Sequence, residues 1–102
     1  MITKVNIRGT EHPMIYGYGA LMLAEEILGQ PWGGNQSAKT TIILLYACML
    51  NGDDKFPYDF GEFVRLVDSE DGLLADLNRC LATQIERWGK PKAEAEEGKK
   101  KD

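Results

Sequence analysis

The chain has little of what metal, redox and membrane proteins usually need. It contains two cysteines and one histidine among 102 residues. A structural zinc site generally takes four Cys or His ligands, so no structural zinc is expected. The longest unbroken apolar run, Ile42–Leu50, is nine residues long, whereas a helix that spans a membrane needs about 20. The first residues also lack a long apolar core, and we therefore expect neither a membrane span nor a signal peptide.

Basic residues are scarce relative to acidic ones. Twelve Lys and Arg residues stand against sixteen Asp and Glu residues, which gives a formal net charge of −4. A general nucleic-acid-binding protein needs a basic face, so nucleic acid is not an expected partner. The last segment, residues 89–102, is rich in Lys and Glu and has only Ala and Pro besides Gly and Asp. Because it cannot bury enough apolar surface to offset its ordering entropy, we predict one folded domain over residues 1–88 and a disordered charged tail over 89–102.

The two cysteines, Cys48 and Cys80, both lie inside apolar stretches. Free cysteine is among the most buried residue types, and reduced thiols are typical of a reducing compartment. We therefore predict two buried, reduced thiols in a cytoplasmic protein. The sequence leaves a disulfide between them open, although nothing requires one.

The first sixteen residues have the pattern of a β-hairpin. Val5 and Ile7 are β-branched and alternate with polar residues, which is typical of a half-buried strand. Residues 8–11 form a turn signal, and the run His12–Tyr16 is expected to be extended because Pro13 disfavours helix at the residue before it. A lone hairpin is marginal in water, so this one must pack on another element.

Four helices are predicted after the hairpin. Gly29 is a candidate C-cap for the first, and Ser37 is a candidate N-cap for the second. The second helix is apolar nearly all round at its centre, which is typical of a buried helix. Asp59 and Glu62 have the spacing of a capping box, and Gly89 with Pro91 is expected to end the last helix. The predicted spans are Ala20–Leu28, Ser37–Leu50, Phe60–Val67 and Leu73–Trp88. The fold class is therefore mainly α (α+β), an N-terminal β-hairpin followed by about four helices and a disordered charged C-terminal tail.

Residues 33–40, GGNQSAKT, are similar to a phosphate-binding loop, with Ala38 in place of its second glycine. Such a loop needs a strand leading into it, backbone free to approach the phosphates, and an acidic magnesium ligand elsewhere. The residues before it, Gln30–Trp32, do not form a strand pattern, and a methyl group at residue 38 would crowd the phosphates. We therefore favour a plain loop that leads into a helix.

Other residues that could carry chemistry are isolated. His12 has no Ser, Cys or Asp partner at a spacing that favours a catalytic triad. Acidic pairs such as Glu25–Glu26 and Glu70–Asp71 fall on predicted helix surfaces or helix starts, where solvation or the helix dipole accounts for them. We therefore expect no catalytic residue, no cofactor and no metal site, and predict a binding protein that is not an enzyme.

The order of these signals resembles a known family. A strand leads into residues 7–14, IRGTEHPM; a buried helix carries residues 44–52, LLYACMLNG; and residues 56–64, FPYDFGEFV, open the third helix before a long helix and a charged tail. This pattern resembles the tail assembly chaperones of long-tailed bacteriophages and prophages. The resemblance spans nearly the whole chain, and it consists of hydrophobic and turn positions without a catalytic signature.

The resemblance implies a non-enzymatic function in the cytoplasm of a bacterial host cell. Such chaperones bind the long helical tape measure protein, keep it soluble, and help to recruit tail tube subunits to it. A tape measure protein and a tail tube protein are therefore the implied partners. Whether the chain also forms a homo-oligomer is open.

Five aromatic residues are candidates for contact with such a protein. They lie near loops or at the end of the last helix, outside the regular apolar periodicity, and large aromatic side chains often anchor protein interfaces. Lids over the small core are the competing interpretation, because a domain of this size needs its large side chains for stability. The candidates are Tyr16, Tyr18, Trp32, Phe56 and Trp88.

Two other functions are weighed against the chaperone. One is a small adaptor or regulatory protein of a mobile element that binds a larger protein partner. The other is a nucleotide-binding fragment that uses residues 33–40. Gene neighbourhood separates a chaperone from an adaptor, and titration with ATP and magnesium tests nucleotide binding.

Overall fold

The computed structural model describes the backbone of residues 3–32 and 37–97 and the side chains of residues 3–32 and 37–87. Two antiparallel strands come first and four helices follow, which confirms the predicted fold class. The elements are β1 (Lys4–Ile7), β2 (Thr10–Pro13), α1 (Tyr18–Leu28), α2 (Ala38–Gly52), α3 (Phe60–Ser69) and α4 (Leu73–Glu97).

A two-residue turn joins β1 to β2. Arg8 has a φ of 53° and Gly9 a φ of 88°, and positive φ at both central residues is the pattern of a type I′ turn. The predicted turn over residues 8–11 is therefore too long, because Thr10 already pairs with Ile7. The twist of a type I′ turn matches that of the strands, so two residues are enough to close the hairpin.

The hairpin turns one face to the helices. Val5 pairs with His12 across the ladder, and both side chains are buried together with that of Ile7. β2 ends at Pro13, so only the first two residues of the predicted extended run His12–Tyr16 belong to the assigned strand. The N–H of Met14 still donates to the carbonyl of Thr3 at 2.8 Å, whereas the N–H groups of Ile15 and Tyr16 donate to α2 and α4.

The helix caps follow the sequence closely. Gly29 ends α1 in the left-handed conformation, with φ 83°, and its N–H donates to the carbonyl of Glu25 at 2.8 Å. The hydroxyl of Ser37 accepts from the N–H of Thr40 at the start of α2. Asp59 and Glu62 form the predicted capping box of α3, since each side chain accepts the other residue's N–H at 2.8 Å.

The assigned span of α4, Leu73–Glu97, continues past Gly89 and Pro91, where the helix was predicted to end. Proline removes one backbone hydrogen bond and glycine lowers helix propensity, but both accept helical dihedral angles. Side chains from Trp88 onward lie outside the described residues. The domain boundary at residue 88 and the disordered tail over 89–102 stay predictions.

α2 lies at the centre of the core, as its apolar sequence predicts. Its buried residues include Leu45 and Met49, which pack with Phe63 of α3 and Leu77 of α4. A smaller cluster of Ala24, Ile43 and Ala47 joins α1 to α2. The hairpin covers the remaining side of the core.

Cys48 and Cys80 are buried free thiols, as predicted. Burial in the core, with a smaller contribution from the neighbouring Cys80, raises the pKa of the Cys48 thiol from 9.0 to about 12. Burial also raises the pKa of Cys80, against a hydrogen bond from Gln84 that lowers it. Since the thiolate is the nucleophilic form, these cysteines are arranged for packing and not for reaction.

Candidate protein-binding groove

The connector between β2 and α1, residues 14–16, is held on one side by α2. The N–H of Ile15 donates to the carbonyl of Cys48 at 3.0 Å. The side-chain amide of Asn51 donates to the carbonyl of Ile15, also at 3.0 Å. The end of α2 therefore satisfies both backbone polar groups of Ile15, which a neighbouring strand would otherwise do.

Gln84 of α4 holds the same connector on the other side. Its Oε1 accepts from the N–H of Tyr16 at 2.9 Å, and its Nε2 donates to the carbonyl of Met14 at 2.6 Å. Nε2 also lies 3.3 Å from the Sγ of Cys80. Gln84 is buried, and its amide pairs with the connector backbone much as a peptide group would. This places Tyr16 against α4.

Trp32 is placed by the end of α1. After Gly29 reverses the chain, the backbone N–H of Trp32 donates to the Oε2 of Glu25 at 2.8 Å. Its side chain is partly buried and packs against the cluster that joins α1 to α2. A carboxylate that accepts a backbone N–H makes a stronger hydrogen bond than a neutral acceptor, so Glu25 is a good anchor for this residue.

Tyr16 and Trp32 are brought together by these contacts at a groove between α2 and α4. We call it the α2–α4 groove, and its volume is about 340 Å³. Apolar side chains from the two helices and two threonine residues complete its walls. The lining residues are Tyr16, Trp32, Thr40, Thr41, Leu44, Leu81 and Ile85.

A second groove adjoins the first on the other side of Thr41. This α2–α3 groove has a volume of about 420 Å³ and, unlike the first, is mainly apolar, with one lysine and one aspartate among its lining residues. Thr41 lines both grooves. The lining residues of the second groove are Ala38, Lys39, Thr41, Ile42, Val64, Val67, Asp68 and Leu74.

One face of α4 connects the two grooves. Leu74, Leu81 and Ile85 recur at helical spacing, so they lie in one row along the helix. Leu74 and Ile85 are each 41% exposed, whereas Leu81 between them is buried. At 1.5 Å per residue the row is about 16 Å long, which corresponds to about three helical turns. The exposed Asn78 interrupts this row between Leu74 and Leu81. The α2–α3 groove is mainly apolar, the α2–α4 groove is about equally polar and apolar, and we call the two adjoining grooves together the channel.

Tyr18, another predicted contact residue, lies outside this channel. It is 72% exposed at the start of α1, one turn before Met22, which is 64% exposed. The two side chains lie on one face of α1 and line neither groove. The side chain of Trp88 lies outside the described residues.

Phe56 is not on the surface, which corrects its choice as a contact residue. It is 7% exposed and its ring lies 5.2 Å from that of His12 and 5.4 Å from that of Tyr58. Tyr46 and Phe63 complete this group of rings. Edge-to-face packing of aromatic rings stabilises a core, so the competing interpretation of a core residue holds for Phe56.

His12 belongs to the same aromatic group. Its Nε2 is buried and makes no hydrogen bond with the part of the chain that the structure describes. No hydroxyl or thiol is therefore paired with that nitrogen among the described side chains. The ring packs against Phe56 and Tyr58, a role typical of a core aromatic residue.

The segment similar to a phosphate-binding loop serves as a helix start. The hydroxyl of Thr40 accepts from the N–H of Ser37 at 2.9 Å, and the Ser37 hydroxyl accepts from Thr40. The chain enters this segment from α1 and residues 30–32, which form no strand. Residues 33–36 lie outside the described part. The two hydroxyl groups are thus used for capping.

Within residues 3–32 and 37–87, no group of three or more His, Cys, Asp or Glu side chains is placed to hold a metal ion. None of the helices described is both long enough and apolar enough to cross a membrane. The channel between α2, α3 and α4 is therefore the feature of the described structure that best fits a binding function.

Comparison with protein-family models found no matching family, and comparisons with curated proteins and with solved structures found no match either.

Proposed function

We propose that this protein is a non-enzymatic tail assembly chaperone of a phage or prophage, and that it binds helical segments of the tape measure protein and helps to recruit tail tube subunits. The observation that carries the proposal is the channel, where the apolar side chains of Tyr16, Trp32, Leu74 and Ile85 stay partly or largely open to solvent. The choice of the tape measure protein as the partner rests on the sequence resemblance to the chaperone family.

The shape of the channel supports an amphipathic helix as its occupant. A helix docks in a groove through apolar residues at i, i+3, i+4 and i+7, which occupy two turns. The channel offers about three turns of contact. A tape measure protein is mainly amphipathic helix, and it exposes such stripes until it is packed inside the tail.

The channel is also suited to temporary binding. It is shallow, and an interface below about 1,200 Å² in total area is typical of weak, transient complexes. The acidic surface of the chain keeps the complex soluble while an apolar stripe is covered. A chaperone needs both properties, because its client has to be released when the tube grows around it.

Co-expression tests the proposal directly. The tape measure protein is produced with the wild-type chain, with Ile85→Glu, or with Met22→Glu, and its soluble fraction is measured after centrifugation. Met22→Glu is the matched control, since it places the same charge at another exposed apolar residue outside the channel. We expect solubility with the wild type and the control, and loss of it with Ile85→Glu.

Equal aggregation of the tape measure protein with and without this chain would contradict the proposal. Binding of a different large protein of the same mobile element through the channel would favour the adaptor instead. In either case the position of the gene gives an independent check, because a chaperone gene is expected between a tail tube gene and a very long tape measure gene.

A further inference from the structure

Asn78 is the polar member of a row along α4 that is otherwise apolar. It lies four residues after Leu74 and three before Leu81, and Ile85 follows four residues later. Spacings of four, three and four residues place these side chains on one face of a helix. The side chain of Asn78 is exposed, so it lies on the surface that a helix in the channel would cover.

No contact within the described chain accounts for an amide at this position. Other polar side chains of α4 have partners, since Asp76 pairs with Arg79 at 2.7 Å and Gln84 holds the connector. The side chain of Asn78 makes no hydrogen bond with the described residues, and asparagine is a weaker helix former than alanine. Water satisfies this amide until another chain covers it.

We propose that Asn78 sets the register of the helix that the channel receives, by pairing with an Asn or Gln side chain in the apolar stripe of that helix. This inference rests on the proposed function for the presence of the helix. A helix docked over the row removes Asn78 from water, and a covered amide without a partner weakens binding. An occupant with an amide at the facing position restores the lost hydrogen bonds.

An amide is the partner that fits Asn78 best. Its carbonyl oxygen accepts and its NH₂ group donates, so a second amide can donate to the first and accept from it at once. A lysine offers only donors and an ionised carboxylate only acceptors, and each would place a charge beneath the docked helix. In coiled coils, a single asparagine in the apolar seam specifies the register in the same way, at a cost in stability.

The register matters because a long amphipathic helix offers many similar stripes. The channel covers about three turns, so a uniformly apolar stripe could shift along it by one turn and still make most of its contacts. One amide pair makes a single position the preferred one. The lower affinity that comes with a polar pair also suits a client that has to be released.

Two synthetic amphipathic peptides test the pairing. They share one apolar stripe, whose central position is Asn in one peptide and Leu in the other. Binding is followed by the fluorescence of Trp32, which lines the channel, in a Trp88→Phe background. We expect this background protein to bind the Asn peptide about tenfold more tightly than the Leu peptide, and Asn78→Leu to reverse the preference. Arg79→Leu, which places the same side chain on α4 outside the row, is the control and should keep the original preference.

The side-chain amide resonances of Asn78 give a direct readout in the protein without a substitution at that residue. The Asn peptide should shift them in a saturable way and slow their exchange with water, because the amide enters a hydrogen bond beneath the docked helix. Failure of both peptides to bind, or Asn78 resonances that stay unshifted when the Asn peptide is bound, would overturn the inference.

The remaining outcomes separate this inference from the proposed function. Equal binding of the two peptides by the background protein, or tighter binding of the Leu peptide, would overturn the inference and leave the proposed function standing. A preference for the Asn peptide, while co-expression leaves the tape measure protein insoluble, would support the pairing at Asn78 and contradict the proposed function.

Discussion

Among single residues, Gln84 shows how one polar side chain positions a surface feature. It occupies the buried stripe of α4 with Leu77, Cys80 and Leu81, all apolar. Its amide replaces the backbone partners that the connector would have in a longer strand. The sequence contains a signal for this buried polar contact, since Gln84 is the one polar residue at helical spacing with Leu77, Cys80 and Leu81.

Replacing Gln84 with leucine should destabilise the fold, because the carbonyl of Met14 would stay buried without this donor. The cost of a buried polar group that loses its partner is about 1–3 kcal/mol. Urea denaturation should therefore show a free energy of unfolding lower by about 2 kcal/mol. Asn78→Ala, an exposed substitution on the same helix, should change it by less than about 0.5 kcal/mol. Equal effects of the two substitutions would show that the Gln84 contacts contribute little.

Cys48 makes stability depend on alkaline pH. The pKa of its thiol is raised from 9.0 to about 12 in the folded state, so the unfolded chain loses this proton first as the pH rises. The contribution of the protonated Cys48 thiol to the free energy of unfolding is fully present below pH 9. It falls by about 1.4 kcal/mol per pH unit between pH 9 and 12. Between pH 9 and 10.5, wild type should thus lose stability faster than Cys48→Ala. Parallel curves for the two proteins would contradict this assignment.

Among the elements, the ends of helices that carry capping residues could be predicted from the sequence, whereas the exact bounds of the two strands could not. The capping box of α3 and the Gly29 cap of α1 are properties of a few adjacent residues, so the sequence indicates them directly. The length of the hairpin turn depends on strand pairing. An arginine at positive φ is unusual, and the Arg8–Gly9 turn was therefore predicted two residues too long.

The contact between α2 and the hairpin predicts opposite effects for two glycine substitutions. A Cβ at Gly52 would lie 2.5 Å from the backbone carbonyl oxygen of Pro13, which cannot move without shifting β2. Gly52→Ala should therefore cost about 1–3 kcal/mol. At Gly61 of α3 the added Cβ would meet only Asp59 at 3.6 Å, so Gly61→Ala should stabilise the helix by up to about 1 kcal/mol. Thermal unfolding separates these outcomes, and a Gly52→Ala variant as stable as wild type would contradict the contact.

For the whole molecule, the candidate site could be predicted only in part. Tyr16 and Trp32 were chosen because they are large aromatic residues near loops, and the structure brings them together in one groove. Phe56 was chosen on the same grounds and is buried. Side-chain type alone cannot distinguish an aromatic residue that closes the core from one that faces outward, because this depends on how α2, α3 and α4 pack.

The leucine and isoleucine residues of the channel were missed for a related reason. Leu74 and Ile85 belong to the helical periodicity of α4, and this periodicity does not distinguish apolar residues that are buried from those that stay exposed. Leu73, Leu77 and Leu81 of the same helix are buried, whereas Leu74 and Ile85 are each 41% exposed. Only the packing of the helices shows which part of an apolar stripe stays open.

The central claim is that the channel along α4 receives a helix of the tape measure protein. Site-specific photo-crosslinking during co-expression tests it most directly, with a benzophenone amino acid placed at residue 85 in one variant and at residue 22 in the other. We predict a crosslink to the tape measure protein from residue 85 and little or none from residue 22. Crosslinking from residue 22 alone, or from neither position while the client stays soluble, would contradict the claim.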